Sequence, residues 1–197
     1  MGVLEGRIAL ITGGARGQGR AHALTLAGAG ADVVLCDIAA PVAEADYDLS
    51  TPADLEQTAA AVTAATGRTC LVVPTDVKVE EQVTAMVQRT VDELGRLDIL
   101  VNNAGGTRMG PLQDLPTRAW DSVYELNVRS AYVATREAGI HFRAQGSGAI
   151  VNISSDAGIH GVKGGAHYSS AKAALQMFTT VTAAEWGRYG ILSLIHI

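Results

Sequence analysis

Short apolar runs recur along the chain, each closed by glycine, proline, asparagine, aspartate or serine and followed by a longer amphipathic stretch. Ile8-Ala9-Leu10-Ile11, residues 32–37 (DVVLCD), 70–73 (CLVV), 97–101 (LDILV) and 148–155 (GAIVNISS) read as strands buried on both faces, the pattern of a parallel sheet with helices on either side. Helical spacing fills residues 17–29, 51–65, 79–94, 117–144 and 166–186. Thr51-Pro52-Ala53-Asp54 supplies an N-cap, a proline at the first helical position and an acid three residues on, and Gly67 ends that helix. Val79, Val83, Met86, Val87, Val91 and Leu94 mark one face of the next. Asn127 falls in the middle of the fourth helix, where its side chain competes with the backbone ladder. Five alternations of strand and helix, without repeat or low-complexity segment, predict one α/β domain built on a doubly wound parallel sheet of the Rossmann type. Residues 39–50 have no clear period and are long for a connection in such a fold, so they are expected to form a functional flap.

Composition narrows the function. The 197 residues, 48% hydrophobic and 18% charged, suit one globular domain with a sizeable core. A net charge of −5 without a dense Lys/Arg run argues against a nucleic-acid partner. Cys36 and Cys70 lie inside apolar runs and form no C-x-x-C, which points to buried reduced thiols in a reducing cytosol. The N-terminus lacks a basic-then-apolar leader, and no apolar stretch approaches roughly 18 residues. A cytoplasmic protein without a membrane span is the expectation. His22, His141, His160, His167 and His196 show no metal-ligand spacing, so no metal site is expected.

The candidate chemistry starts where the first strand breaks. Gly13, Gly17 and Gly19 follow Thr12 in the spacing T-G-x-x-x-G-x-G, which leaves room for a tight turn, a pyrophosphate and a helix packed close to the strand. The helix N-terminus behind them would aim free N–H groups at the phosphate; a flexible Gly-rich turn is the competing reading. Asp37, 18 residues beyond Gly19 at the end of the second strand, stands near the offset at which a carboxylate takes the adenosine ribose hydroxyls. Arg16 pulls toward the 2′-phosphate of NADP, but Asp37 repels that phosphate and Ile38 adds no second cation, so NAD is the expected cofactor. Asp76 ends the third strand, either beside the adenine or as an ordinary cap. Asn102-Asn103-Ala104-Gly105-Gly106 follows the fourth strand, where ligands bind in open parallel sheets; an Asn-rich turn that satisfies its own backbone is the alternative.

Tyr168 and Lys172 stand four apart at the head of a helix, on one face and one turn apart. A phenol with an ordinary pKa of about 10 is a poor base at neutral pH, and a nearby ammonium favours its phenolate. Ser155, at the end of the fifth strand, is placed to hydrogen-bond a reacting oxygen.

With TGGARGQG, Asp37, NNAG at 102–105, Asn127, Ser155 and YSSAK at 168–172 in this order, the chain resembles the short-chain dehydrogenase/reductase family of the classical type over residues 6–191. The resemblance implies Tyr168 as general acid/base, Lys172 on the nicotinamide ribose and lowering the tyrosine pKa, Ser155 orienting the substrate oxygen and Asn127 holding a proton-relay water. Gly13, Arg16, Gly17, Gly19, Asp37, Asp76 and Asn103, with Tyr168 and Lys172, form the expected cofactor set. The stretches GQGRAHA, GADVVLCDI and YDLSTPADLEQTAAAV look like the mycofactocin-coupled branch, which includes carveol dehydrogenase-like enzymes. That likeness implies a secondary alcohol or ketone substrate, with terpenoids such as carveol included, a flap over NAD and a separate redox carrier. Related alcohol or ketosteroid dehydrogenases and a dinucleotide-binding module without turnover are the alternatives.

The end departs from the pattern. The family continues past residue 191 with a sixth strand, a substrate-covering segment and a seventh strand, and its full-length members imply a homo-oligomer. Here residues 192–197 (LSLIHI) read as a translation of a transposon mosaic-end adapter, with a natural strand as the alternative, since the six residues alternate. A domain over 1–191, a non-native tail over 192–197 and an inactive, poorly soluble chain are therefore expected.

Overall fold

The computed structural model describes residues 2–38 and 49–197. The expected flap lies mostly outside the described residues; of it, only Leu49 and Ser50 are placed. Elements follow in the order β1 (Ile8–Thr12), α1 (Gly17–Gly28), β2 (Asp32–Asp37), α2 (Pro52–Thr66), β3 (Cys70–Pro74), α3 (Glu80–Leu94) and β4 (Ile99–Asn102). Then come α4 (Thr117–Tyr124), a π-helical turn (Glu125–Arg129), α5 (Ser130–Gln145), β5 (Gly148–Ile153), the short α6 (Ala157–His160), α7 (Ala166–Trp186) and β6 (Ile191–His196).

The six strands are parallel and ordered β3-β2-β1-β4-β5-β6, so the chain reverses its direction of travel between β1 and β4. Ligands bind beyond the carboxyl ends of strands at such a switch point. Period-two alternation divides the core. Ile8, Leu10, Val34, Leu100 and Ile150 face Val83, Met86 and Val87 of α3 and Val133, Ala138 and Phe142 of α5. Ala9, Ile11, Val33, Leu35 and Val101 face Ala23 and Ala27 of α1 and Leu55 and Val62 of α2. The doubly wound sheet expected from the sequence is thus the architecture.

Three local readings change. Five strands are expected from the sequence, whereas Ile191–His196 forms a sixth, paired with β5 from Gly148↔Ile191 to Ile153↔His196. Its alternation buries Ile191 and Ser193 and leaves Leu192 and Leu194 59% and 48% exposed. β5 ends at Ile153, so Ser154 and Ser155 leave the strand before the turn into α6. The helix expected over 117–144 is broken by the π-turn around Asn127, whose side chain supplies the reason. Its Nδ2 donates to the Val123 carbonyl (2.9 Å) and the Gly106 carbonyl (2.8 Å), taking a backbone acceptor at the i−4 position.

Among the described residues no helix is long and apolar enough to cross a membrane, and no cluster of three or more His, Cys, Asp or Glu side chains could hold a metal ion. Both cysteines are free, and burial pushes the Cys36 and Cys70 thiols up to about 12.

Candidate active site

The glycines at the end of β1 have separate geometric reasons. Gly13 and Gly17 adopt φ of +66° and +53°, a region side chains disfavour. Gly19 is helical and buried, and a Cβ there would drive into the Gly13 carbonyl oxygen. The turn therefore lies flat against α1, whose first turn carries no side-chain cap among the described residues and aims its N–H groups where an anion would sit.

Two residues brace this turn from β4. Thr12 is buried, and its Oγ1 accepts from the amides of Asn103 and Ala104, both at 3.0 Å. Asn103 Nδ2 donates to the carbonyls of Thr12 (2.9 Å) and Gly13 (3.0 Å). Asn103 thus spends its side-chain amide on the chain itself, while its residue still lines the cavity. The role of Thr12 was missed from sequence, although a polar residue ending an apolar strand just before a glycine turn was the available signal.

Asp37 stands at the carboxyl end of β2. Its Oδ2 accepts from the Ala15 amide at 3.1 Å, and its Oδ1 accepts from the buried Ser50 hydroxyl, a contact the sequence did not suggest. Arg16 is exposed before α1, and its charge reaches Asp54, whose carboxyl is held low chiefly by the Thr51 amide. That amide and Asp54 complete the predicted reciprocal cap of α2. Asp76 Oδ1 accepts from the Lys78 amide at 2.9 Å, forming the turn into α3. Gly13, Arg16, Asp37, Asp76 and Asn103 line one cavity of about 930 Å³ that continues past Gly105, Gly106 and Thr107 to Met109, Leu115, Val123 and His167.

Beside this cavity the structure brings together residues far apart in sequence. A Cβ on Gly105 would lie 2.8 Å from Asn127 Oδ1 and 3.3 Å from Lys172 Nζ, so both side chains converge on that glycine. Asn127 is 2% exposed and also accepts from the Gly106 amide at 3.3 Å. Lys172 is 4% exposed; its ammonium donates to the Ile153 carbonyl at 2.8 Å and lies 5.6 Å from the centre of the Tyr168 ring, one turn earlier on α7. Burial draws the Lys172 pKa down from 10.5 to about 8. The two serines after β5 diverge. Ser154 is buried and its hydroxyl donates to the Lys172 carbonyl, whereas Ser155 is half-buried, with its hydroxyl near Asp156 (3.2 Å) and accepting from the Ala157 amide (3.2 Å). Gln176, unremarked in the sequence, donates to Ser154 Oγ at 3.1 Å and joins α7 to this turn.

A dinucleotide-shaped turn at a switch point, a strand-end carboxylate and a buried lysine beside a tyrosine are the parts of a nucleotide-dependent oxidoreductase on an open parallel sheet. The chain belongs to the short-chain dehydrogenase family, whose model, described as "short chain dehydrogenase", matches residues 7–195. It is 39% identical to an uncharacterised NAD-dependent oxidoreductase of Mycobacterium tuberculosis, over 96% of this chain and 70% of that protein. It is 42% identical to (-)-trans-carveol dehydrogenase of Rhodococcus erythropolis, over 87% of this chain and 62% of that one. Among solved structures, carveol dehydrogenase from Mycobacterium avium in complex with NAD superposes with a TM-score of 0.95 at 34% identity, covering 99% of this chain and 71% of that chain.

Proposed function

We propose that this chain oxidises a secondary alcohol to a ketone, or reduces the ketone, with NAD as cofactor. The buried ammonium of Lys172 carries the reading. A lysine held inside the fold against a carbonyl, one turn from a tyrosine and converging with Asn127 on Gly105, carries a burial cost that methionine in its place would avoid. In the oxidation direction the alcohol O–H proton passes to the Tyr168 oxygen. The carbinol C–H leaves as hydride, for which NAD is the acceptor. Lys172 would hold the nicotinamide ribose beside Tyr168, Ser155 would donate to the substrate oxygen, and Asn127 would hold a water that relays protons to and from the tyrosine.

The cofactor half fits NAD by its own chemistry. The uncapped α1 amides and the flat turn at Gly13, Gly17 and Gly19 suit a pyrophosphate. Asp37 suits a ribose diol and opposes a 2′-phosphate, and Asp76 borders the cavity where an adenine would lie. A terpenoid alcohol of the carveol kind is our candidate substrate, supported by the two carveol dehydrogenases the chain resembles and by the apolar lining of Met109, Leu115 and Val123. Transfer of electrons onward to a mycofactocin-type carrier belongs to the same proposal. So does self-association, supported by exposed Tyr132 and Ile140 on α5 and Met177 and Val181 on α7. The chain spans 62–71% of the length of these relatives, and cofactor binding without turnover is the second reading.

The test is NADH formation from a panel of secondary alcohols, run also with an artificial electron acceptor, for the parent and for Tyr168→Phe. The variant should lose turnover and keep NAD affinity. Variant turnover within about tenfold of the parent, about 1.4 kcal/mol of barrier, refutes the acid/base assignment.

A further inference from the structure

The cavity wall holds two buried polar groups that the reaction above does not use. His167 is 0% exposed, and among the described residues neither of its ring nitrogens has a hydrogen-bond partner. Thr107 Oγ1 is likewise buried and unpartnered. Both residues line the cavity, and the segments that carry them are joined. The Gly110 amide donates to the Gly164 carbonyl at 2.9 Å, and a Cβ on Gly165 would meet Met109 Sδ at 3.1 Å. The loop after β4 and the approach to α7 therefore form one surface, with His167 directly before Tyr168 in the chain.

An imidazole has hydrogen-bonding capacity at both nitrogens, and a hydroxyl can donate and accept. Buried polar groups left unpaired are rare and weaken the folded state. If the position asked only for a planar ring, phenylalanine would fill it without that loss. Met109, Leu115, Ala119, Val123 and Leu126 supply an apolar surface beside these two residues, and Arg108, Asp114, Arg118 and Ser122 line the same cavity. An apolar wall with a few placed polar groups recognises a hydrocarbon body bearing one oxygen at a fixed distance from the reacting centre.

We propose that His167 and Thr107 form a polar subsite for a second oxygen of the substrate, a hydroxyl or carbonyl remote from the carbon that gives up hydride. The substrate class is then a cyclic diol or hydroxyketone in preference to a simple cyclic alcohol. This assignment rests on the hydride-transfer reading for which carbon reacts, and it remains testable by binding alone.

The experiment compares cyclohexanol with 1,4-cyclohexanediol on the NAD-loaded chain, reading kcat/KM for NADH formation and affinity by calorimetry. Thr107→Val and His167→Phe remove the polar atoms while keeping approximate shape, and the valine variant stands in where the buried phenylalanine does not fold. The parent should prefer the diol about tenfold, a difference of 1.4 kcal/mol, and each variant should bring the ratio toward one. A purely structural role for the two residues would weaken both probes alike and leave the ratio intact, which overturns the proposal. So does a parent ratio near one. Where neither alcohol reduces NAD, the hydride-transfer reading fails and the calorimetric ratio decides this one: a diol preference lost in the variants supports the subsite, and equal binding overturns it.

Discussion

Alkaline pH should strengthen this fold through one side chain. Lys172 is buried on α7, its pKa drawn from 10.5 down to about 8 by burial, and its ammonium donates to the Ile153 carbonyl. Below pH 8 the lysine is charged in both folded and unfolded chains, and the burial penalty is present in full. Between pH 8 and 10.5 the unfolded chain holds a proton that the folded chain has released, so stability rises with pH across that window. Above 10.5 both states are neutral and the penalty has vanished. The fall from 10.5 to about 8 corresponds to about 3 kcal/mol. Lys172→Met keeps the hydrocarbon stem and removes the charge, at a loss of about 1 kcal/mol for the Ile153 carbonyl left without its donor. The variant should therefore be about 2 kcal/mol more stable than the parent at pH 7 and about 1 kcal/mol less stable above pH 10.5, with a crossing between. Urea unfolding without NAD, followed by tryptophan fluorescence from pH 7 to 10.5, reads this difference. Cys36 and Cys70, pushed up to about 12, titrate in both proteins and cancel in the subtraction. Parallel stability curves, with the variant weaker throughout, would refute the claim that the folded chain bears an uncompensated buried ammonium.

Three further outcomes follow from the geometry. Asp37→Ala, with Arg16 retained, should narrow the preference for NAD over NADP in calorimetric titration; equal affinity for the two cofactors in the parent would remove Asp37 from the ribose. Gly19→Ala forces a methyl group into the Gly13 carbonyl and should lower stability by about 1–3 kcal/mol while abolishing NAD binding, so a variant that binds NAD normally contradicts the packing of that turn. Asn152→Leu cuts a buried chain in which Asn102 donates to Asn152 and Asn152 donates to Thr179, and it should cost about 2 kcal/mol in chemical denaturation.

The parallel sheet was legible because its strands are continuous apolar runs and because helix signals such as Thr51-Pro52-Ala53-Asp54 act locally. The glycine turn was legible for a similar reason, since close approach to an anion leaves a mark on residue type at fixed spacing. What escaped is long-range. The Asn102–Asn152–Thr179 chain joins three elements, and each residue alone is only a polar interruption in an apolar pattern. Ser50 reaching Asp37 depends on how the segment after β2 returns to the sheet, which periodicity does not encode. Residues 192–197 were set apart by their resemblance to an adapter, and their alternation, the other signal over six positions, is the one that matches their pairing with β5. His167 was passed over because a lone histidine in a helix has no spacing to betray it; its burial without partners became visible only in three dimensions.

The π-turn at Glu125–Arg129 sets the phase of everything that follows it. An α-helix advances about 100° per residue, so one residue inserted or removed rotates the downstream rod by that angle. Upstream, Val123 lines the cavity, and within the turn Asn127 faces Gly106. Downstream, Val133, Ala138 and Phe142 face the sheet. The wide turn lets one rod satisfy both orientations. A single-residue deletion there would regularise the hydrogen-bond ladder and yet swing Phe142 out of the core or Asn127 away from Gly106. This segment behaves like a reading frame, in which the count of residues matters as much as their identity.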